Sequence, residues 1–208
     1  MRIILISDTH NQLSSLQVPE GDILIHSGDA TNNGSIAELS RFGSDLARLP
    51  HKNKLVIAGN HDWIWQKQPS LAKSLLPPGV TYLEDSGVII DGVKFWGSPW
   101  QPEFCGWAFN LPRGEELKKR WAFIPDDTNV LITHGPPAGI LDQVPDGEAA
   151  GCEELWKRIC ELKYLKLHTF GHLHHSYGMY NFNGTTFVNA SSCDERYNPV
   201  NKPVVIDL

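Results

Sequence analysis

Lys54-Leu55-Val56-Ile57-Ala58-Gly59-Asn60-His61-Asp62 is the stretch that decides how this chain folds. Lys54 to Ala58 read as a buried strand, and the next four residues set an amide, an imidazole and a carboxylate at that strand's carboxyl edge. An Asn oxygen can bind a hard cation, the adjacent His can hand a proton to a leaving group, and the Asp beside it can orient that imidazole. Gly-Asn after a strand is also a common turn. Taken singly, the stretch is a turn or part of a metal site, and the surrounding chain has to decide.

The same ending recurs. Residues 2 to 6 form a continuous apolar run that stops at Ser7, Asp8, Thr9 and His10; residues 22 to 26 end in Ser27, Gly28 and Asp29. Residues 129 to 133 end in His134, Gly135 and two prolines, and residues 167 to 170 run into Gly171, His172, Leu173 and His174. Between these strands, Ile36, Leu39, Phe42 and Leu46 stand at helical spacing over 35–48, a second helical segment near 70–76 is closed by Pro77 and Pro78, and further helices are expected over 115–121 and 152–162. Residues 81–83, 88–91 and 93–96 read as antiparallel strands appended to the sheet, with a turn at Asp91 and Gly92, and the chain beyond His174 reads as hairpin strands to Leu208. Strands alternating with helices, with candidate ligands at their carboxyl ends, give an α/β fold. No repeat, low-complexity tract or linker divides it, so residues 1–208 are expected to form one domain.

With 41% hydrophobic and 20% charged residues the composition is that of an ordinary globular chain. The net charge of −6 repels polyanions, so extended nucleic acid is a poor partner, although bound metals reverse the sign locally. Cys105, Cys152, Cys160 and Cys193 are scattered, form no Cys-x-x-Cys pair and read as reduced thiols of a cytoplasmic protein. The chain goes from Met1 straight into strand sequence with no secretory signal, and no apolar stretch approaches a membrane span. Monomer and homodimer are both open.

Five strand ends together supply Asp8, His10, Asp29, Asn60, His61, His134, His172 and His174. Each has a plain alternative: the two aspartates as turn or cap residues, His134 as a core histidine, His172 and His174 as alternating strand positions. All five motifs in order argue instead for a dinuclear centre, and Asp29 is the natural bridge because an ionised carboxylate has two oxygens to share. The order Asp-x-His, Gly-Asp, Gly-Asn-His-Asp, a lone His before a small residue, and Gly-His-x-His resembles the calcineurin-like metallophosphoesterase superfamily. Within it the chain is most similar to the metallophosphoesterase-domain-containing (fetal-brain type) proteins, through residues 97–114, 133–137 and 189–193, and the likeness extends over essentially the whole chain.

That resemblance implies a four-layer α/β/β/α sandwich of two mixed sheets flanked by helices. It implies that Asp8, His10, Asp29 and His174 hold one ion and that Asp29, Asn60, His134 and His172 hold the other, while His61 serves the leaving oxygen with Asp62 steering its ring. Two divalent ions, two carboxylates and a bridging hydroxide leave roughly +1 in the cleft, a match for a phosphate diester attacked by that hydroxide. Carboxylate, amide and imidazole without thiolate suit Mn, Fe or Zn. The expected activity is hydrolysis of small phosphodiesters, cyclic nucleotides (3′,5′ or 2′,3′) or aryl diesters; the other class kept open is a nucleotide-binding regulatory or scaffold protein with low residual phosphoesterase activity. Some members of the resembling group lack the first His of the last motif, and retention of His172 favours catalysis. A monoesterase is the weaker enzyme reading, since a dianion needs more basic groups than the chain offers near Arg113.

Two readings are open for the loop 98–114. Trp100, Phe104, Trp107 and Phe109 either pack over the sheet or wall a pocket that stacks an aromatic group. With a pocket, Asn110 and Arg113 would orient a phosphate or base; otherwise Arg113 is a surface partner for an acid. His175, directly after the last motif, is a further candidate substrate contact. His26, His51 and His168 read as structural.

Overall fold

In the computed structural model, which describes residues 1–208, the elements follow in the order β1 (Arg2–Ile6), β2 (Ile23–His26), α1 (Ile36–Arg48), β3 (Asn53–Val56), α2 (Trp63–Lys67), α3 (Pro69–Ser74), β4 (Val80–Tyr82), β5 (Ser86–Ile90) and β6 (Val93–Ser98). Then come β7 (Gln101–Pro102), β8 (Asn110–Leu111), α4 (Glu115–Trp121), β9 (Val130–Thr133), α5 (Glu153–Glu161), β10 (Leu167–Phe170), β11 (Gly178–Phe182), β12 (Thr185–Asn189) and β13 (Val204–Asp207). One sheet has the order β13-β1-β2-β3-β4 and the other β11-β12-β10-β9-β6-β5. Both are mixed: parallel at the centre, with antiparallel pairs at β1–β13, β11–β12 and β5–β6.

Strand periodicity sorts the side chains into layers. Ile4, Ile6, Leu24 and Val56 face α1, α2 and α3, where they bury Leu39, Phe42, Leu46, Ile64, Trp65 and Ala72. The alternate residues Ile3, Leu5, Ile23, Ile25 and Leu55 meet Phe95, Val130, Ile132, Leu167 and Val188 between the sheets. Leu131, Phe170 and Phe187 pack outward on Leu117 and Trp121 of α4 and Leu155 and Ile159 of α5. The result is a four-layer α/β/β/α sandwich. Strands buried on both faces have to be apolar throughout, which is why the strand runs lack alternation. Each fully buried Leu, Ile or Phe contributes about 1.5–3 kcal/mol.

Register brings the strand ends to one edge. Ile6, His26 and Val56 lie side by side, so the segments after β1, β2 and β3 emerge together. A parallel bridge between Ser7 and Ser191 and a hydrogen bond between the Ser27 and Thr169 hydroxyls (3.3 Å) join the two sheets there.

Three expectations are corrected. β4 runs parallel to β3 as the edge of the first sheet, and β6 runs parallel to β9; only β5–β6, with Asp91 and Gly92 both at positive φ, forms the expected antiparallel hairpin. After the β11–β12 hairpin the last strand leaves for the other sheet, pairing Arg2 with Asp207. Its alternating half-buried pattern marks an edge strand without naming its partner. Within 98–114, β7 and β8 pair in parallel.

Candidate metal centre and cavity

Two groups of ligand atoms converge at the shared edge: Asp8, His10 and His174 in one, Asp29, His134 and His172 in the other, each with its atoms within 4.8 Å of one another. Asp29 lies between them. Its Oδ2 stands 3.3 Å from His134 Nε2 and 3.9 Å from His10 Nε2. Asn60 Oδ1 is 2.9 Å from both His134 Nε2 and His172 Nδ1, which sets the amide oxygen in the second group. His10 Nε2 and His174 Nε2 face each other at 3.4 Å, and Asp8 Oδ1 is 3.4 Å from the latter.

Backbone geometry aims these atoms. Asp8, His10, Asp29 and His172 all have positive φ, the left-handed region that costs a residue with a Cβ about 1–2 kcal/mol. Gly59 allows the third strand end to approach the second: a Cβ there would meet the Asp29 carboxylate and backbone nitrogen and the His134 ring. Carbonyls hold the imidazoles from behind, Ser27 O at 2.9 Å from His134 Nδ1 and Asp194 O at 2.8 Å from His174 Nδ1. Each leaves Nε2 as the inward atom. Asp8 Oδ2 accepts from Ser191 Oγ at 2.8 Å and, with Oδ1, from the His172 amide at 3.0 Å.

The electrostatics are those of paired acids and imidazoles. Burial would raise the Asp8 and Asp29 carboxyls, but His174 in one case and His134 in the other hold them well below the usual range. Burial would lower His134 and His174; the bonds and charges of Asp29 and Asp8 bring both up to about 9. His172 is pushed down to about 3, first by burial and then by the His134 charge, and burial lowers His10. The inward atoms are all nitrogen or oxygen, with no thiolate, and they meet at one place. This donor set fits two hard or borderline divalent cations, whose binding would displace the protons on His134 and His174.

The family model for "Calcineurin-like phosphoesterase" matches residues 1–176. The chain belongs to that family. It is 43% identical to the human "Metallophosphoesterase domain-containing protein 1" over all of this chain and 71% of that one. A Caenorhabditis elegans UPF0046 protein is 42% identical, with 99% of this chain and 74% of that one covered. Among solved structures, the TT1561 protein of Thermus thermophilus superposes with a TM-score of 0.60 at 15% identity, covering 90% of this chain and 88% of that one, a likeness of fold. The chain is thus a metallophosphoesterase with a dinuclear-type His/Asp site.

A cavity of about 410 Å³ opens over the two ligand groups. His61, Trp107, Arg113 and His175, expected from the sequence, all line it; Asn110 does not. Asn110 Nδ2 donates to Phe104 O at 2.8 Å and its Oδ1 accepts from Gln101 Nε2 at 3.2 Å, so this amide holds the aromatic loop. The loop divides its aromatics between the two roles left open: Phe109 is buried and Trp100 lies edge-on to it, whereas Phe104 and Trp107 face the cavity. Arg113 bonds the carbonyls of Gly151 and Ala150 and the carboxylate of Glu153. His175, exposed, pairs with Glu195 at 2.9 Å.

Asp62 is corrected. Its buried carboxylate makes no hydrogen bond to the His61 ring and accepts from the amides of Gly59 (2.9 Å), Ala30 (3.2 Å) and Thr31 (3.0 Å) and from Thr31 Oγ1 (2.7 Å). It therefore fixes the second and third strand-end loops to each other. The His61 ring is held by Asn32 O, 2.7 Å from Nδ1, and lies 4.2 Å centroid to centroid from Trp107. Sequence reasoning does not find Tyr197, which lines the cavity with its ring 4.6 Å from that of His10. The carbonyl acceptors Ser27, Asn32 and Asp194 carry no sequence signal, because any residue has a carbonyl.

Proposed function

We propose that the chain hydrolyses small monoanionic phosphodiesters, cyclic nucleotides or aryl diesters, at a centre of two divalent ions, with Mn, Fe and Zn favoured by the donor set. The observation that carries the diester reading is the state of Arg113. It is the sole Lys or Arg side chain lining the cavity, and its guanidinium is taken up by Gly151, Ala150 and Glu153. A phosphate monoester dianion would want a free cationic fork beyond the metals, whereas a diester carries one charge.

Asp8, His10, Asp29 and His174 would hold one ion and Asp29, Asn60, His134 and His172 the other. Bound there, the two ions supply Lewis acidity and a water acidic enough to act at neutral pH. The protein does the rest. With Nδ1–H donated to Asn32 O, the doubly protonated His61 ring would hold its second proton on Nε2 and hand that one to the leaving oxygen, ending as the neutral Nδ1–H imidazole. Trp107, Phe104 and Tyr197 give the leaving group an apolar wall and exclude water from it. The four unpaired cysteines suit the reducing cytoplasm.

The test is turnover by metal-reconstituted protein of bis(p-nitrophenyl) phosphate against p-nitrophenyl phosphate. Faster diester cleavage is expected, and faster monoester cleavage overturns the assignment. Tight nucleotide binding with no turnover under Mn, Zn or Fe would transfer the site to the nucleotide-binding reading.

A further inference from the structure

We propose that Glu38, on the first turn of α1 and outside the cavity, is a positioning residue for His61. A helix cap uses only one of its oxygens. Oε2 accepts from Ser35 N (2.9 Å) and Ser35 Oγ (2.7 Å), completing the capping box of α1. Oε1 has no task in that box, yet it accepts from Asn32 N (3.1 Å), Asn33 N (3.3 Å) and Asn11 Nδ2 (2.7 Å). Those bonds clamp the loop between β2 and α1 at the residue whose carbonyl receives His61 Nδ1 at 2.7 Å.

The consequence is chemical. A fixed Asn32 carbonyl keeps one proton on Nδ1 and the ring in one orientation, so that Nε2, which carries the second proton when the ring acts as an acid, faces the leaving group. Asn32 is itself exposed and has no other anchor for its amide than Glu38 Oε1. Partial burial would raise the Glu38 carboxyl, but its donors hold it down at about 2, so the clamp is an anion throughout the physiological range. Charge-assisted bonds of this kind are the stronger class. The role of His61 rests on the proposed function; the position of its ring does not.

Two measurements on Glu38→Ala test this. In the metal-free protein, imidazole nitrogen NMR should show His61 as the Nδ1–H tautomer in the wild type and an averaged tautomer in the variant. In the metal-loaded protein, kcat should fall about 10-fold, with KM and two bound ions per chain retained, and more for an alkyl than for a p-nitrophenyl leaving group. In a His61→Ala background the same change should cost nothing further, as expected of residues that act as a unit. Ser35→Ala, which cuts only the cap, should weaken the helix and leave both readouts alone. Glu38→Gln, which keeps the size and one acceptor, should give the same changes at smaller amplitude and guards against misfolding of the alanine variant. An unchanged His61 signal, or an equal rate loss with and without His61, overturns the proposal. Should the wild type cleave no phosphodiester, the proposed function falls and the nitrogen spectrum still decides Glu38.

Discussion

Gly59→Ala adds one methyl group at the closest approach of two strand ends. The new carbon would lie 2.6 Å from His134 Cε1 and nearer still to the Asp29 carboxylate and amide nitrogen. Ordinary carbon contacts begin near ~3.5 Å, so about 0.9 Å of displacement is needed between ligands that metals require to within about 0.2 Å. Asp29 cannot yield freely, because its Oδ1 accepts the His61 amide at 2.8 Å. Overpacking should lower stability by about 1–3 kcal/mol. A misplacement near 1 Å should lower kcat about 100-fold, with loss of at least one ion. The assays are urea unfolding, elemental analysis and turnover of an aryl phosphodiester. Gly92→Ala, in open space at φ +79, is the control: about 1 kcal/mol of strain and no change in metal content. A Gly59→Ala protein with two ions and wild-type turnover would refute the reasoning.

Asp62→Ala strands four buried donors at once and should destabilise the protein by about 2–4 kcal/mol in urea unfolding, outweighing the relief of a buried carboxylate. Trp107→Ala removes the ring over His61 and an apolar wall, and should raise KM for an aryl diester about 10-fold, read from initial rates. His168 is buried, held at about 3 by burial against 6.5 for a free imidazole, with Nε2 on Thr133 Oγ1 and Nδ1 without a partner. The unfolded chain therefore binds a proton below about 6.5 that the folded chain refuses, and stability falls as pH drops from there toward 3. His168→Gln should flatten that part of the pH–stability curve by up to about 4 kcal/mol at pH 3.5, followed by denaturant titration at each pH.

The layers were legible because doubly buried strands have to be continuous apolar runs, and the candidate ligands because five such runs in order end in Asp, Asn or His, which a turn or cap explains singly but not together. Glu115–Trp121 and Leu167–Phe170 carry their bounds in local pattern alone. Strand partnership was not legible where it depends on distant chain: nothing in residues 204–207 names β1. Nor was the job of Asp62, whose neighbour in sequence is His61 but whose neighbours in space are Ala30 and Thr31. Tyr197 sits in no motif and reaches the cavity through a left-handed backbone and a bond from Gln12 Nε2 to its carbonyl, a contact across 185 residues.

The central claim is that two ligand groups share Asp29, and metal counting on Asp29→Ala tests it most directly. Elemental analysis after reconstitution with Mn or Zn should find two ions per wild-type chain and neither site filled at the same metal concentration in the variant, because on this account the Asp29 carboxylate, near His134 and His10 alike, would serve both groups. One ion per wild-type chain, or an Asp29→Ala variant that still holds two, would contradict it.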